Sequence, residues 1–324
     1  MQRRVLQVIL AGVLLLLPFQ AFAAEKISLK FGHVLAPTHP YNLGAMKFAE
    51  ILKNNKDINV EVEVFHSSQL GNERDLTEGL QLGTVDFALA PGTVALFEPK
   101  MALFDLPYIF RDRQHAYAVL DGEIGAELAK DLPAKGIRLL AYWENGYRNI
   151  TNSKRAIEKP TDLNGIKIRV SENKVHVSTF KAFDCNVTAM AFGEVFTALQ
   201  QKTIDAQENP LAIIVSSKFY EVQPFLSLTE HVYMPAHLIV SEEKWQSFPD
   251  NVKEAIQNAA IEARDYERKI IADGDAKYID DLKAAGIKIN SVDKAPFIEV
   301  AKNTVWKEFE KELGQLRQRV IDHK

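Results

Sequence analysis

The run Gly165-Ile-Lys-Ile-Arg169-Val-Ser-Glu172-Asn173 lies near the start of the segment 164–210, which the rest of the chain is organised around. Alternating apolar and polar residues before Arg169 predict a strand that opens from a glycine turn. Arg169 therefore stands where a strand runs into a loop, and there its guanidinium can bind a carboxylate through two hydrogen bonds. The same segment supplies Phe192 at a helix start and Asn209 in a Gln-Glu-Asn-Pro run. We expect these three side chains to bind the acidic end of a small solute.

Strand and helix patterns also alternate in the part of the chain before this segment. Strand patterns at 26–32, 58–65 and 85–90 are separated by helical stretches at 42–54 and 73–82. Short connections between such elements predict a parallel sheet that is covered by helices.

The length of the chain favours two domains, because 324 residues exceed the usual size of one. A glycine and an amide mark a change of direction at 144–148, which we interpret as the first crossing into a second domain. The helical stretch at 251–280 is long enough to lie along both domains. We therefore predict an α/β fold of two domains. The predicted boundaries are 24–144 plus 235–270 for the first domain and 145–234 plus 271–324 for the second.

Composition excludes several classes of protein. An apolar content of 47% with 25% charged residues is that of an ordinary soluble globular chain. A nucleic-acid partner would need a basic surface, and the formal net charge of -4 argues against one, so we expect no nucleic-acid partner. The single Cys185 excludes an internal disulfide and a multi-cysteine metal cluster.

The amino terminus has the pattern of a secretory signal peptide. Arg3 and Arg4 precede the apolar run 5–17, and small residues surround Phe22 in an Ala-Phe-Ala site. The alternative is a permanent amino-terminal anchor, since the apolar run approaches the length of a membrane span. Pro18 and the Ala-Phe-Ala site favour a signal peptide over residues 1–23, with cleavage near Ala23 and export to a periplasm.

Further candidate residues lie where the predicted strands approach the domain crossing. Arg148 follows the turn there and could clamp a carboxylate together with Arg169. Glu172 and Asn173 could bond the hydroxyls of a polyol, and His33 ends the first strand. The full set of candidate ligand-binding residues is Arg169, Arg148, Asn209, Phe192, Glu73, Glu172, Asn173, His33, Tyr233 and Asn145.

Common catalytic and cofactor motifs are absent from the sequence. There is no Gly-x-Gly-x-x-Gly after a strand, no phosphate-binding Gly-x-x-x-x-Gly-Lys and no Gly-x-Ser-x-Gly. The histidines do not occur at metal-ligand spacing. We therefore expect no cofactor, no metal and no enzymatic activity. An exported hydrolase or lyase is the alternative, and Glu172 or His33 would then serve as the general base.

Four runs, in this order, resemble the substrate-binding proteins of tripartite ATP-independent periplasmic (TRAP) transporters. They are Ser67-Ser-Gln-Leu-Gly71, Gly165-Ile-Lys-Ile-Arg-Val170, Met190-Ala-Phe-Gly-Glu-Val195 and Asp205-Ala-Gln-Glu-Asn-Pro210. The resemblance implies two α/β domains, joined by crossing hinge strands and spanned by a long helix, that close like a clamp on one small acid. It also implies delivery to a sodium-coupled membrane permease. A sensory partner would use the same binding chemistry, and we expect the protein to act as a monomer.

The resemblance also implies roles for individual residues. Arg169 matches the arginine that forms the main salt bridge to the substrate carboxylate, and Asn209 is oriented near it. Phe192 would pack on the ligand, Arg148 matches a second arginine, and Glu73 matches a first-domain position that can touch polar groups of the ligand.

Two positions bear on the identity of the acid. Members that bind sialic acid carry a glutamate where this chain has Pro91 and an asparagine where it has Glu172, so we do not expect sialic acid. A sugar acid such as a uronate or aldonate is the first choice. A C4-dicarboxylate is the second, since Arg148 could hold its far end.

Overall fold

The computed structural model describes residues 26–324. The strands are β1 (Ile27–Gly32), β2 (Val60–Phe65), β3 (Phe87–Leu89), β4 (Ile137–Asn152), β5 (Lys167–Val170), β6 (Asn186–Ala189), β7 (Ala206–Pro210), β8 (Phe225–Ser241) and β9 (Lys288–Ser291). The α-helices are α1 (Pro40–Asn54), α2 (Glu73–Gln81), α3 (Arg113–Asp121), α4 (Glu123–Ala129), α5 (Lys174–Ala182), α6 (Val195–Gln200), α7 (Leu211–Ser216), α8 (Glu242–Ser247), α9 (Asp250–Ala284), α10 (Ala295–Asn303), α11 (Val305–Glu308) and α12 (Glu310–Asp322).

The strands form a mixed sheet in the order β2-β1-β3-β8-β4-β7-β5-β6, with β9 beside β8. At one end β1 pairs in parallel with both β2 and β3, and at the other β5 pairs in parallel with both β6 and β7. Each end is therefore a parallel strand-helix unit of the kind that the alternating sequence patterns predict. The α/β fold class is confirmed.

Two long antiparallel strands, β4 and β8, connect the two parallel units. Their register pairs Ile137 with Ser241 at one end and Asn152 with Phe225 at the other. A register shift falls between 144 and 146, where Gly146 has a φ of 114° that favours glycine. The predicted change of direction at 144–148 thus lies at an irregularity in the strands that cross between the halves, in agreement with a two-domain clamp.

Helix α9 spans both halves, as the sequence predicts for 251–280. Its 35 residues give a length of roughly 50 Å at 1.5 Å per residue. It packs along α1 and β4 near its amino-terminal end, and α7 of the other half also lies against it. Small buried side chains, among them Ala259 and Ala263, allow this close approach.

The carboxyl-terminal helix returns to the first half of the molecule. In α12 the Val320 carbonyl lies 2.9 Å from His115 Nε2, and Arg319 forms an ion pair with Glu127 at 2.7 Å. The predicted second domain includes α12, while His115 and Glu127 belong to the predicted first domain. The domain boundaries remain a prediction.

Within residues 26–324, no helix is both long enough and apolar enough to cross a membrane. The predicted signal peptide lies outside the described residues.

Candidate functional site

A cavity lies where the two halves meet the crossing strands. About 330 Å³ of it is free of atoms when its open mouth is counted, and a water-sized sphere can reach about 20 Å³ of that space. Strands β5 and β7 run in parallel, so the residues that follow them meet at one edge of the sheet. The lining comprises Leu35, Glu73, Pro91, Asn145, Arg148, Arg169, Ser171, Phe192, Asn209, Ile213 and Met234. Six of the candidates from the sequence are in this set, namely Arg169, Arg148, Asn209, Phe192, Glu73 and Asn145.

Arg169 lines the cavity and is held in place by two hydrogen bonds. Its side chain is 3% exposed, and Nε and Nη2 donate to the Met190 carbonyl oxygen at 2.9 and 2.6 Å. The guanidinium carbon lies 6.0 Å from the centre of the Phe192 ring, within cation-π range. These contacts leave Nη1 without a hydrogen-bond acceptor within residues 26–324. A buried guanidinium with a free donor is arranged to receive an anion.

The electrostatic surroundings of Arg169 support this interpretation. Burial lowers the pKa of Arg169 to about 10, although Glu208, Glu73 and Glu172 oppose the shift. The side chain is therefore still a cation at neutral pH. Because burial disfavours the charged form, a carboxylate placed against Arg169 would stabilise it.

Arg148 lines the same cavity but is already paired with an anion. Its Nε and Nη2 donate to the two carboxylate oxygens of Glu208 at 2.5 and 2.8 Å, and Nη1 donates to Asn145 Oδ1 at 3.0 Å. Nη2 also reaches Asn209 Oδ1 at 3.1 Å. The sequence suggested two arginines that both clamp the ligand, whereas the structure gives Arg148 a bidentate partner of its own. Arg148 and Glu208 are diagonal neighbours on the antiparallel strands β4 and β7.

A buried cluster behind the cavity fixes Glu208. Besides Arg148, Glu208 lies 3.0 Å from His231 Nε2 and 3.6 Å from His176 Nδ1. Burial opposes ionisation of Glu208, but Arg148 and then His176 outweigh it and hold the pKa of this carboxyl well below its usual range. Glu208 is fully buried and ionised. Sequence reasoning passed over it, although a glutamate inside an otherwise buried strand must find a cation.

Glu73, Asn145 and Asn209 are further polar residues of the lining. Glu73 is the first residue of α2, and burial raises the pKa of its carboxyl to about 7, against the effect of Arg169 and Arg148. Asn145 Nδ2 donates to Tyr41 Oη at 2.7 Å, and Asn209 Nδ2 donates to Gln207 Oε1 at 2.5 Å. Both amides are thereby held in a fixed orientation against Arg148.

Two further candidates lie in the protein interior, outside the cavity lining. His33 is buried, and its ring lies 3.2 Å from Asn42 Oδ1 while accepting from the Leu35 amide. Burial lowers the pKa of His33 to about 4, so it is neutral. Tyr233 packs edge-on against Phe110, because alternation along β8 turns it away from the face on which Met234 lines the cavity.

Glu172 and Asn173 lie beside the cavity but outside its lining. Asn173 caps α5, where its Oδ1 accepts from the Val175 amide at 2.9 Å and its Nδ2 donates to Asp105 Oδ2 at 2.6 Å. Its hydrogen-bonding groups are therefore used within the protein. Glu172 is half-buried and acts on Arg169 and Glu73 through its charge.

Five lining residues are outside the set of candidate ligand-binding residues: Leu35, Pro91, Ser171, Ile213 and Met234, of which Pro91 is one of the two positions that bear on the identity of the acid. Four of them are apolar and form a wall, and no pattern distinguishes such residues from ordinary core. Ser171 follows Arg169 by two residues on the same strand end, and its hydroxyl lies 3.1 Å from His176 Nδ1. Among the described residues, no group of three or more His, Cys, Asp and Glu side chains is arranged to hold a metal ion.

The site combines a buried arginine that has a free donor with a cavity lined from two α/β halves, and comparison with known proteins identifies the class of protein. Residues 31–312 match the family described as bacterial extracellular solute-binding protein, family 7 (DctP). The chain belongs to this family, whose members include the periplasmic binding proteins of TRAP transporters.

Three similar proteins illustrate what members of the family bind. The 2,3-diketo-L-gulonate-binding periplasmic protein YiaO of Escherichia coli K12 is 38% identical over 290 residues, 89% of this chain and 88% of that protein. A TRAP periplasmic solute-binding protein from Polaromonas sp. JS666, solved with D-erythronate, has a TM-score of 0.89 at 40% identity and covers 92% of this chain and 99% of its own. Another, from Sulfurospirillum deleyianum DSM 6946 with succinate, has a TM-score of 0.88 at 35% identity and covers 92% and 99%. These relatives are binding proteins for small carboxylates.

Proposed function

We propose that this protein captures a small organic acid, most suitably a sugar acid such as a uronate or aldonate, and delivers it to a sodium-coupled TRAP permease. The observation that carries the proposal is the state of Arg169. It is a buried cation that lines the cavity, its Nε and Nη2 donate to one carbonyl oxygen, and its Nη1 has no acceptor within residues 26–324.

The ligand carboxylate supplies the counter-charge that Arg169 lacks. Hydrogen bonds between a guanidinium and a carboxylate are short and strong, and the planar fork fixes the direction of the acid. Phe192 lies against the same guanidinium and offers an apolar face to the carbon chain of the ligand. Closure of the two halves would complete the site, since its lining comes from both of them.

A sugar acid suits the rest of the lining better than an apolar acid does. Glu73, Ser171 and the fixed amides give acceptors and donors for hydroxyl groups. The names of relatives support this choice, because one binds 2,3-diketo-L-gulonate and another was solved with D-erythronate. The succinate-bound relative keeps a C4-dicarboxylate as the second candidate.

We propose that the bound acid leaves the cavity chemically unchanged. The two residues suggested by the sequence as general bases, Glu172 and His33, are not in the cavity lining. Burial keeps His33 neutral, and its ring contacts Asn42 and the Leu35 amide in the protein interior. Export, cleavage near Ala23, monomeric action and the permease partner are parts of the same proposal. The alternative partner is a sensor kinase, which would use the same binding chemistry. Pull-down against the permease and against sensor kinases distinguishes the two partners.

Calorimetry on the mature chain, residues 24–324, tests the role of Arg169. A panel of aldonates, uronates and C4-dicarboxylates identifies an acid that binds, and Arg169→Ala is then titrated with it. Truncation leaves the ligand carboxylate buried without a partner, a loss of about 3–5 kcal/mol. The expected loss of affinity is therefore on the order of a hundredfold to several thousandfold.

Arg74→Ala is the matched control, since Arg74 is an exposed arginine whose partner is Glu78 on the same helix. It should bind the acid as the wild type does, and circular dichroism should show both variants folded. Binding by Arg169→Ala within threefold of the wild type would refute the proposal.

A further inference from the structure

The charged side chains that line the cavity are not equivalent. Arg148 already holds Glu208 through two hydrogen bonds, whereas Arg169 has no carboxylate partner among the described residues. The lining thus offers one guanidinium to an incoming anion. Its remaining charged residue is Glu73, which comes from the first half of the molecule.

Glu73 is placed at the cavity by the start of helix α2. Asn72 caps this helix by accepting from the amides of Arg74 and Asp75 at 2.9 and 3.1 Å. The Thr77 hydroxyl donates to the Glu73 carbonyl oxygen at 2.9 Å. The backbone at Glu73 is therefore fixed, while its carboxylate accepts no hydrogen bond from another residue in the range 26–324. Two free carboxylate oxygens can accept only from donors such as hydroxyl groups.

We propose that Glu73 restricts this site to acids with a single carboxylate, an inference that rests on the proposed function. An acid anchored on Arg169 extends its hydroxylated chain toward the first half, where Glu73 accepts hydrogen bonds from it. A second carboxylate at that end meets the like charge of Glu73. Arg148 offers a second carboxylate no bidentate contact, because its Nε and Nη2 already donate to Glu208.

The same geometry makes the restriction depend on pH. The ionisable groups that act on Glu73 are Arg169, Arg148 and Glu172, and Tyr41 also lies within electrostatic range. Burial raises the pKa of Glu73 to about 7, the two arginines oppose this and Glu172 adds to it. Glu73 is thus charged at pH 8 and mostly neutral at pH 6. Discrimination against a second carboxylate is strong at the higher pH and weak at the lower one.

Matched acids that differ only at the far end test the inference. Galactonate and galactarate share one carbon skeleton, and so do D-erythronate and meso-tartrate; the second acid of each pair has a carboxylate in place of a terminal alcohol. Calorimetry measures the ratio of the Kd for the dicarboxylate to the Kd for the monocarboxylate. For the wild-type protein this ratio should be at least about ten at pH 8. At pH 6 it should be smaller by a factor of at least about three.

Glu73→Gln keeps the shape of the side chain and removes its charge. Its ratio should fall to within about threefold of unity at both pH values, through weaker binding of the monocarboxylate and stronger binding of the dicarboxylate. Glu78→Gln is the control, because Glu78 lies on the same helix with its side chain 45% exposed and paired with Arg74. It makes the same change in net charge and should retain the wild-type ratio.

Three results would overturn the inference. They are a wild-type ratio near unity at pH 8, an unchanged ratio in folded Glu73→Gln, and failure of the wild type to bind the monocarboxylate of either pair. Arg169→Ala separates this inference from the proposed function. If that variant loses both acids of a pair while the wild-type ratio is near unity, the restriction by Glu73 is wrong and the role of Arg169 stands. If it retains both acids, the proposed function itself fails.

Discussion

Removing the negative charge of Glu208 should destabilise the protein strongly. Glu208 is fully buried and Arg148 is 3% exposed, so neither charge is solvated by water. Glu208→Gln keeps the volume of the side chain but leaves the Arg148 guanidinium without the carboxylate that accepts from Nε at 2.5 Å and from Nη2 at 2.8 Å. It also replaces one carboxylate oxygen with an amide NH₂ group, which cannot accept a hydrogen bond from the guanidinium.

The magnitude follows from the buried state of the pair. Breaking a buried ion pair by removing one partner costs about 3–5 kcal/mol, because the other charge is left uncompensated. We expect this loss in the free energy of unfolding at pH 7. Replacing both partners, as in Arg148→Met with Glu208→Gln, should recover at least about half of it, since no buried charge then remains.

Urea unfolding of the ligand-free protein, followed by circular dichroism and by tryptophan fluorescence, measures these values. Coincident transitions from the two probes are needed before a single free energy is assigned. Glu221→Gln serves as the control, because Glu221 is exposed and its pairing with Lys218 at 3.8 Å should contribute under about 1 kcal/mol. A loss below about 1 kcal/mol in Glu208→Gln, or a double variant no more stable than the single one, would refute the reasoning.

Two further predictions concern stability. The pKa of Glu208 in the folded protein is held well below its ordinary value of 4.5. Its contribution to the free energy of unfolding is therefore complete above pH 4.5 and is lost as the pH falls from 4.5 through the folded-state pKa. The stability difference between wild type and Glu208→Gln should therefore shrink in urea titrations below pH 4.5, and a constant difference down to pH 3 would contradict this. Gly146→Ala should cost about 1–3 kcal/mol, because φ is 114° and a Cβ would lie 3.3 Å from Pro210 Cβ. Gly193→Ala, which meets nothing within 4 Å, should change stability much less, and equal losses in the two variants would exclude backbone strain as the cause.

The parallel units and the long helix could be predicted because their signals are local. Alternation in β1, β2 and β5 and the helical run of α9 are patterns in consecutive residues, and short connections then require parallel pairing. The position of Arg169 at a strand end follows from the same local pattern. Its free donor could not be foreseen, since that depends on the Met190 carbonyl oxygen from the neighbouring strand connection.

The pairing of Arg148 shows where a sequence pattern stops being informative. Arg148 and Glu208 are 60 residues apart, and they become neighbours only because β4 and β7 lie antiparallel in one particular register. A shift of one residue would turn Glu208 to the other face of the sheet. His33 and Tyr233 were also candidates, but both side chains lie in the protein interior. Which way a side chain points depends on the packing of the strands, and the sequence pattern does not give it.

The sequence by itself determined the α/β class, the crossing near 144–148, the spanning helix and the position of Arg169 at the end of a strand. Tertiary structure alone decided which of the buried charged side chains lack a partner of opposite charge among the described residues. Whether a buried charge can bind a ligand depends on what else lies within hydrogen-bond distance of it, and those partners come from strands far apart in the chain. That is why Arg148 holds Glu208 while Arg169 faces the cavity.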